Sequence, residues 1–285
     1  MFNYIPVIPH SVEVHTDCIE DKQTTQSFPL NATARTMLTV IDGKKNIAMI
    51  IEALNDIFPV SKEQLQTDFI QLCRSLNEKH LLNFRVTSSN KVISVLRYYA
   101  QQYHPRFHER TDISEKNFLP IFMHLFVLLF KKLSLFWCFI TLMFAGAAVI
   151  FQTPQLLLYV YYFSVLHIVV VVSFALHEAL HTYLGRKIAG TPFGFIANDW
   201  LSIKFVRPAS SQKMPRMWLA TLLGPLIPGT IGLIGLITLV STTSTPPIVG
   251  VFSCILFSLH LLYLNPFFGD GRTLVQQLLL RRLSL

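Results

Sequence analysis

Acidic residues are nearly missing from the second part of this 285-residue chain: after Phe118 only Glu178, Asp199 and Asp270 remain. Against them stand 11 Lys and Arg, so residues 119–285 carry the whole formal net charge of +8. Residues 1–118 hold 13 basic and 13 acidic side chains and are neutral. Positive charge confined to an apolar region sets membrane orientation rather than nucleic-acid affinity, so no nucleic-acid partner is expected. Cysteine is also scarce. Cys18, Cys73, Cys138 and Cys254 form no CxxC pair and two lie in apolar runs, which excludes a disulfide framework and a cysteine metal site. They read as small buried apolar residues. The start, MFNYIPVIPH, has neither a basic cluster nor a long apolar stretch. No signal peptide is expected, and the first part is assigned to the cytoplasm. Disorder is excluded by a hydrophobic content of 52%.

Residues 31–97 carry the pattern of a small soluble domain. Asn46 can cap a helix whose Ile47, Ile50, Ile51 and Leu54 make one apolar stripe before Pro59. Ser61 and Gln64 form a capping-box signature for a second helix with Leu65, Phe69, Leu72 and Leu76 on one face. Short alternation from Leu81 to Leu96 around Ser88, Ser89 and Asn90 predicts a hairpin, completing a winged-helix order. A neutral domain without a basic recognition face does not read DNA. Residues 103–117 are polar, contain Pro105 and break every period, so they are expected to be a linker. The predicted organisation is therefore a cytoplasmic domain with linker over 1–117 and a membrane-embedded, α-helical polytopic domain over 118–285.

A hydrocarbon core of about 30 Å needs about 20 apolar residues in a helix. Four segments qualify: 133–151, 155–184, 217–240 and 248–267. Phe118 to Phe130 is too short and precedes Lys131-Lys132, which predicts an interfacial or re-entrant helix. Uncharged connections (Gln152 to Pro154 and Ser241 to Pro247) alternate with basic ones holding Arg186, Lys187, Lys204, Arg207, Lys213 and Arg216, then Arg272, Arg281 and Arg282. Under the positive-inside rule this predicts a multi-pass protein of the cell membrane with both termini cytoplasmic.

Near the end of the second span stands His177-Glu178-Ala179-Leu180-His181. On a helix the two histidines lie on one face, one turn apart, where both imidazoles can reach a single zinc ion, and Glu178 can take a proton from water beside it. With 10 histidines in the chain, random placement makes such a motif about 1% of the time. Its position adds more, because ionisable groups inside apolar runs are costly and functional by default. A catalytic zinc commonly has a third protein ligand. Asp270, in Asn265-Pro266-Phe267-Phe268-Gly269-Asp270-Gly271, falls on the same side of the predicted membrane and can supply it, although the string alone also reads as a helix-ending turn.

An HExxH in one transmembrane helix with an Asn-Pro…Asp-Gly string after a later one resembles the site-2 protease family of intramembrane zinc metalloproteases, and within it the peptide zinc metalloprotease group. The resemblance runs from about Leu156 to Arg272 and includes Gly224-Pro225. Compared with the family, the Asn-Pro to Asp spacing is one residue shorter, and Gly269 stands where a bulky apolar residue is usual. It implies His177, His181 and Asp270 as ligands of one zinc ion per chain, and Glu178 as general base. The soluble domain, through its Asp42-Gly43 turn and the helix after Asn46, resembles the PqqD-like winged-helix domain, which in that family binds the precursor of a ribosomally made, modified peptide. Together the two resemblances imply a maturation or export protease acting on such a peptide, with modifying enzymes or an exporter as partners. Two alternatives stand beside it: site-2-type cleavage of a transmembrane regulator, and a non-hydrolytic peptide-binding or export membrane protein.

Other residues carry less. Phe193 to Val206 can form a hairpin turning at Asn198-Asp199, either presenting substrate as an added strand, as the family resemblance implies, or anchoring at the interface through Trp200. His124, His167 and His260 read as packed or hydrogen-bonded helix residues. Asn265 can steady an oxyanion or substrate, or cap a helix.

Overall fold

In a computed structural model describing residues 3–86, 90–102, 104, 108–113, 117–190, 193–200, 202–208 and 216–283, the chain divides into two compact units. The first comprises Met1–Ser114 with Pro192–Ala209, and the second Glu115–Thr191 with Ser210–Leu285.

The first unit opens with strands the sequence patterns do not reveal: β1 (Tyr4–Val7), β2 (Val12–Val14), β3 (Cys18–Asp21) and β4 (Gln26–Pro29), of which β2, β3 and β4 form an antiparallel meander. Three helices follow: α1 (Ala32–Thr39), α2 (Ile47–Asn55) and α3 (Lys62–Glu78). Their starts obey capping chemistry. The side chains of Asn31, Asn46 and Ser61 accept hydrogen bonds from the N–H groups of Ala34, Met49 and Gln64. The predicted stripes make the core: Ile47, Ile50, Ile51, Leu54, Leu65, Phe69 and Leu76 are all buried, with Cys73 among them.

The predicted hairpin over 81–96 does not form. Asn83–Val86 is a single strand, β5, paired antiparallel with β1, and Lys91–Gln102 is a helix, α4; Ser88 and Ser89 lie outside the described residues. A strand partner 76 residues or more upstream, Val7 opposite Asn83, satisfies β5 without a local turn. The expected linker also carries structure. His108–Asp112 is a strand, β6, paired with β7 (Phe195–Asp199), which pairs in turn with β8 (Ile203–Val206). Residues 192–209 thus fold with the amino-terminal part of the chain. Arg110 explains why: its fully buried side chain bonds Asp21 Oδ1 at 2.7 Å and Asp112 Oδ1 at 2.6 Å, and its guanidinium lies 3.9 Å from the Phe195 ring centroid. A charge this deep is tolerated only when paired.

The second unit is helical: α5 (Phe118–Ile150), α6 (Leu156–Ala189), α7 (Met217–Thr242), α8 (Ile248–Ser258), a 3-10 segment (Leu259–Leu264) and α9 (Gly269–Leu283). Four stretches, with α8 through α9 counted as one, are long and apolar enough to cross a membrane, consistent with a membrane protein. Leu142, Val149 and Ile150 of α5 are more than 70% exposed, an apolar surface suited to lipid. The separate interfacial helix over 118–130 is not found: α5 runs through Lys131-Lys132 without a break, since lysine is a good helix former. The last predicted span keeps α geometry only to Ser258, then tightens and turns over Asn265–Phe268, where Pro266 cannot continue a helix. Of the cysteines only Cys73 is buried; Cys138 is exposed, and Cys18 and Cys254 are intermediate. A cysteine in an apolar span need not face protein when lipid is available.

Candidate functional site

Helical periodicity brings His177 and His181 of α6 together, with ring centroids 4.7 Å apart and their Nε2 atoms 3.1 Å apart. The first turn of α9 supplies Asp270, whose Oδ2 lies 3.0 Å from His177 Nε2 and 3.4 Å from His181 Nε2. Both histidines are buried. Glu178 sits between them on the same helix, half-buried, and its carbonyl accepts a hydrogen bond from Thr182 Oγ1 at 2.8 Å.

Surrounding groups aim this triangle. His181 Nδ1 donates to the Ala220 carbonyl at 2.8 Å, which leaves Nε2 as the lone-pair nitrogen. A Cβ on Gly224 would come within 2.3 Å of the His181 ring, so the Gly224-Pro225 step is where α7 makes room for that imidazole. Asn265 builds the turn ahead of Asp270: its Oδ1 accepts from Phe267 N–H at 3.1 Å and its carbonyl from Phe268 N–H at 2.9 Å. A Cβ on Gly271 would meet that carbonyl at 2.1 Å. The helix-ending turn read from the sequence is therefore also a helix start, and the observed partners of Asn265 belong to that turn.

Sequence reasoning underrates His260. It is hydrogen-bonded, as expected of a histidine in an apolar helix, but its Nδ1 faces His177 Nδ1 at 3.0 Å. Tyr263 stacks on His260, Phe174 meets its edge, and the Tyr263 ring is 5.4 Å from His177. A mostly apolar cleft of about 250 Å³ opens here, lined by Val170, Phe174, Leu259, His260, Tyr263 and Phe268 among others. The signal that could have found His260 is the one that singled out the HExxH, a polar ring inside an apolar span. His167 stays apart, stacked on Trp137.

The first unit holds a second convergence that the sequence does not disclose. His80, His108 and Asp199 present ligand atoms within 4.8 Å of one another. His108 stands opposite Asp199 in the β6–β7 register, with Nδ1 2.8 Å from Asp199 Oδ1. His80 Nε2 is 3.5 Å from the same oxygen, and Lys204 Nζ is 2.8 Å from Oδ2. Burial pushes the His80 imidazole down to about 4, a shift the Asp199 carboxylate opposes. Burial would raise Asp199, but the Lys204 ammonium and His108 hold it below the usual carboxylate range. The Phe193–Val206 hairpin forms, with its turn between Asp199 and Ser202 rather than at Asn198-Asp199. Its β7 is the central strand of the three, because β6 covers one edge.

Residues 20–82 match the family of coenzyme PQQ synthesis protein D (PqqD). A PqqD-like domain thus spans β3 to the residues just after α3, under a quarter of the chain. No curated protein and no solved structure matches the chain.

Proposed function

We propose that this chain is a membrane-embedded zinc metalloprotease of the site-2 type, cleaving a precursor peptide that its PqqD-like domain engages. The observation that carries the reading is the triangle of His177 Nε2, His181 Nε2 and Asp270 Oδ2, with edges of 3.0, 3.1 and 3.4 Å. Three tetrahedral ligands about 2.0–2.1 Å from one zinc ion stand about 3.3 Å apart, so the donor set fits the ion. The outward nitrogens agree, since His181 Nδ1 is held by a carbonyl and His177 Nδ1 by His260, the second-layer bonding that orients metal-bound imidazoles.

Zinc, when bound, supplies a Lewis acid that makes water a nucleophile near neutral pH and polarises a peptide carbonyl. Glu178, on the same turn as the ligands, takes the proton from the attacking water and passes it to the leaving amine. The cleft beside His260 and Tyr263 suits an apolar side chain next to the cleaved bond. The positive-inside pattern supports cytoplasmic termini and a site near the cytoplasmic face, where water is at hand.

The PqqD-like match favours a peptide substrate over a transmembrane regulator, with modifying enzymes or an exporter as partners. Incubation of the purified full chain with a genetically linked precursor, read by mass spectrometry, tests the proposal. Defined fragments are expected from the natural chain and about 100-fold fewer, or less still, from Glu178→Gln. Intact peptide in both, with zinc present, would establish a non-hydrolytic peptide-binding or export protein instead.

A further inference from the structure

The His80, His108 and Asp199 cluster lies wholly in the first unit and takes no part in the reading above. We propose that these three side chains form a second site for a divalent transition-metal ion of the zinc class, clamping the β7–β8 hairpin to the end of α3 and to β6. The donor set, two imidazoles and one carboxylate, is the borderline-soft mixture such ions select over magnesium or calcium.

His108 Nδ1 and Asp199 Oδ1, 2.8 Å apart, are hydrogen-bonded in the metal-free chain, and the edge that points to an ion is the one to His80. The 3.5 Å between His80 Nε2 and Asp199 Oδ1 is long for a hydrogen bond but suits two donors sharing one ion. His80 Nδ1 is buried and has no hydrogen-bond partner among the described residues, so the ring is not a link in a continuing chain of bonds. The backbone adds an independent sign. His80 follows α3 with φ of 57°, where Leu81 N–H bonds the Leu76 carbonyl, the position at which helices ordinarily place glycine or asparagine. Keeping an imidazole there costs backbone strain, and strain of this kind gathers where a side chain has a task. Lys204 holds Asp199 Oδ2, turning Oδ1 toward both rings, while its charge weakens cation affinity. The nearby Arg110 guanidinium is paired with Asp21 and Asp112.

The test uses the full chain in detergent, stripped with a chelator and dialysed against buffered zinc, with bound metal counted by mass spectrometry. His181→Ala, which disables the membrane-half ligand set, should retain about one equivalent, and His181→Ala with Asp199→Asn should retain none. Zinc should raise the melting temperature of the first variant and not of the second. Lys204→Met, which keeps all three ligands, should tighten zinc binding several-fold in the His181→Ala background, and this covers the case in which the Asp199 variant fails to fold. Zinc lost with His181→Ala alone, or affinity unmoved by Lys204→Met, overturns the second site and leaves the protease reading standing. Zinc lost with Asp199→Asn yet retained in full by His181→Ala does the reverse.

Discussion

His177 Nδ1 lies 3.0 Å from Nδ1 of His260, a residue 83 positions further along the chain. One ring must donate and the other accept. If His177 offers its Nε2 lone pair to a zinc ion shared with Asp270 and His181, its Nδ1 carries the proton and His260 is the acceptor. His260 is thus a positioning residue for the proposed ligand set. His260→Ala should weaken zinc binding about 10- to 100-fold, and His260→Gln, which can still accept through its side-chain oxygen, should recover part of it. Equal zinc affinity in all three proteins, measured by competition with a chromogenic chelator, would remove this role.

Glu178→Gln should leave zinc content unchanged and lower the cleavage rate by about 100-fold or more, the usual loss when a general base is removed. The pair of measurements matters, because a variant of the proposed ligand set such as His181→Ala is expected to lose cleavage together with the zinc equivalent held by that set.

Gly224→Ala adds one carbon that would sit 2.3 Å from the His181 ring. Loss of cleavage and of the zinc equivalent assigned to His177, His181 and Asp270 is expected with α7 still helical. Gly146→Ala in α5, which meets nothing within 4 Å, is the matching control and should change neither.

Arg110→Met should destabilise the first unit by about 3–5 kcal/mol, because Asp21 and Asp112 would lose the guanidinium that pairs them. A melting transition near the natural one would show instead that segment 103–117 behaves as the linker its composition suggests.

Burial pushes the Cys73 thiol up to about 12. Its unfolded-state value is lower, so its contribution to stability is complete below the ordinary thiol range and is lost as pH rises through that range toward 12. At pH 9 iodoacetamide should spare Cys73 in the folded chain and label it only on unfolding, as peptide mass spectrometry would reveal.

Much of this protein is written in short-range chemistry. Asn46 and Ser61 mark helix starts because a cap acts within three residues, and the stripe of Ile47, Ile50, Ile51 and Leu54 follows from a period of 3.6. The spacing of His177 and His181 puts both rings on one face whatever surrounds them, and the apolar runs set where four helices can cross a membrane. The remainder depends on partners distant in sequence. Whether β5 turns back on itself or pairs with β1 rests on which strand edge is left open, and no local pattern records that. Residues 103–117 read as a linker because a buried Arg110 looks like any polar residue until Asp21 and Asp112 close on it. Asp270 reaches the histidines, His260 backs His177, and His80 meets His108 and Asp199 only through tertiary packing. Periodicity is a property of one helix or strand, whereas these sites are made by contacts between elements that the chain brings together only on folding.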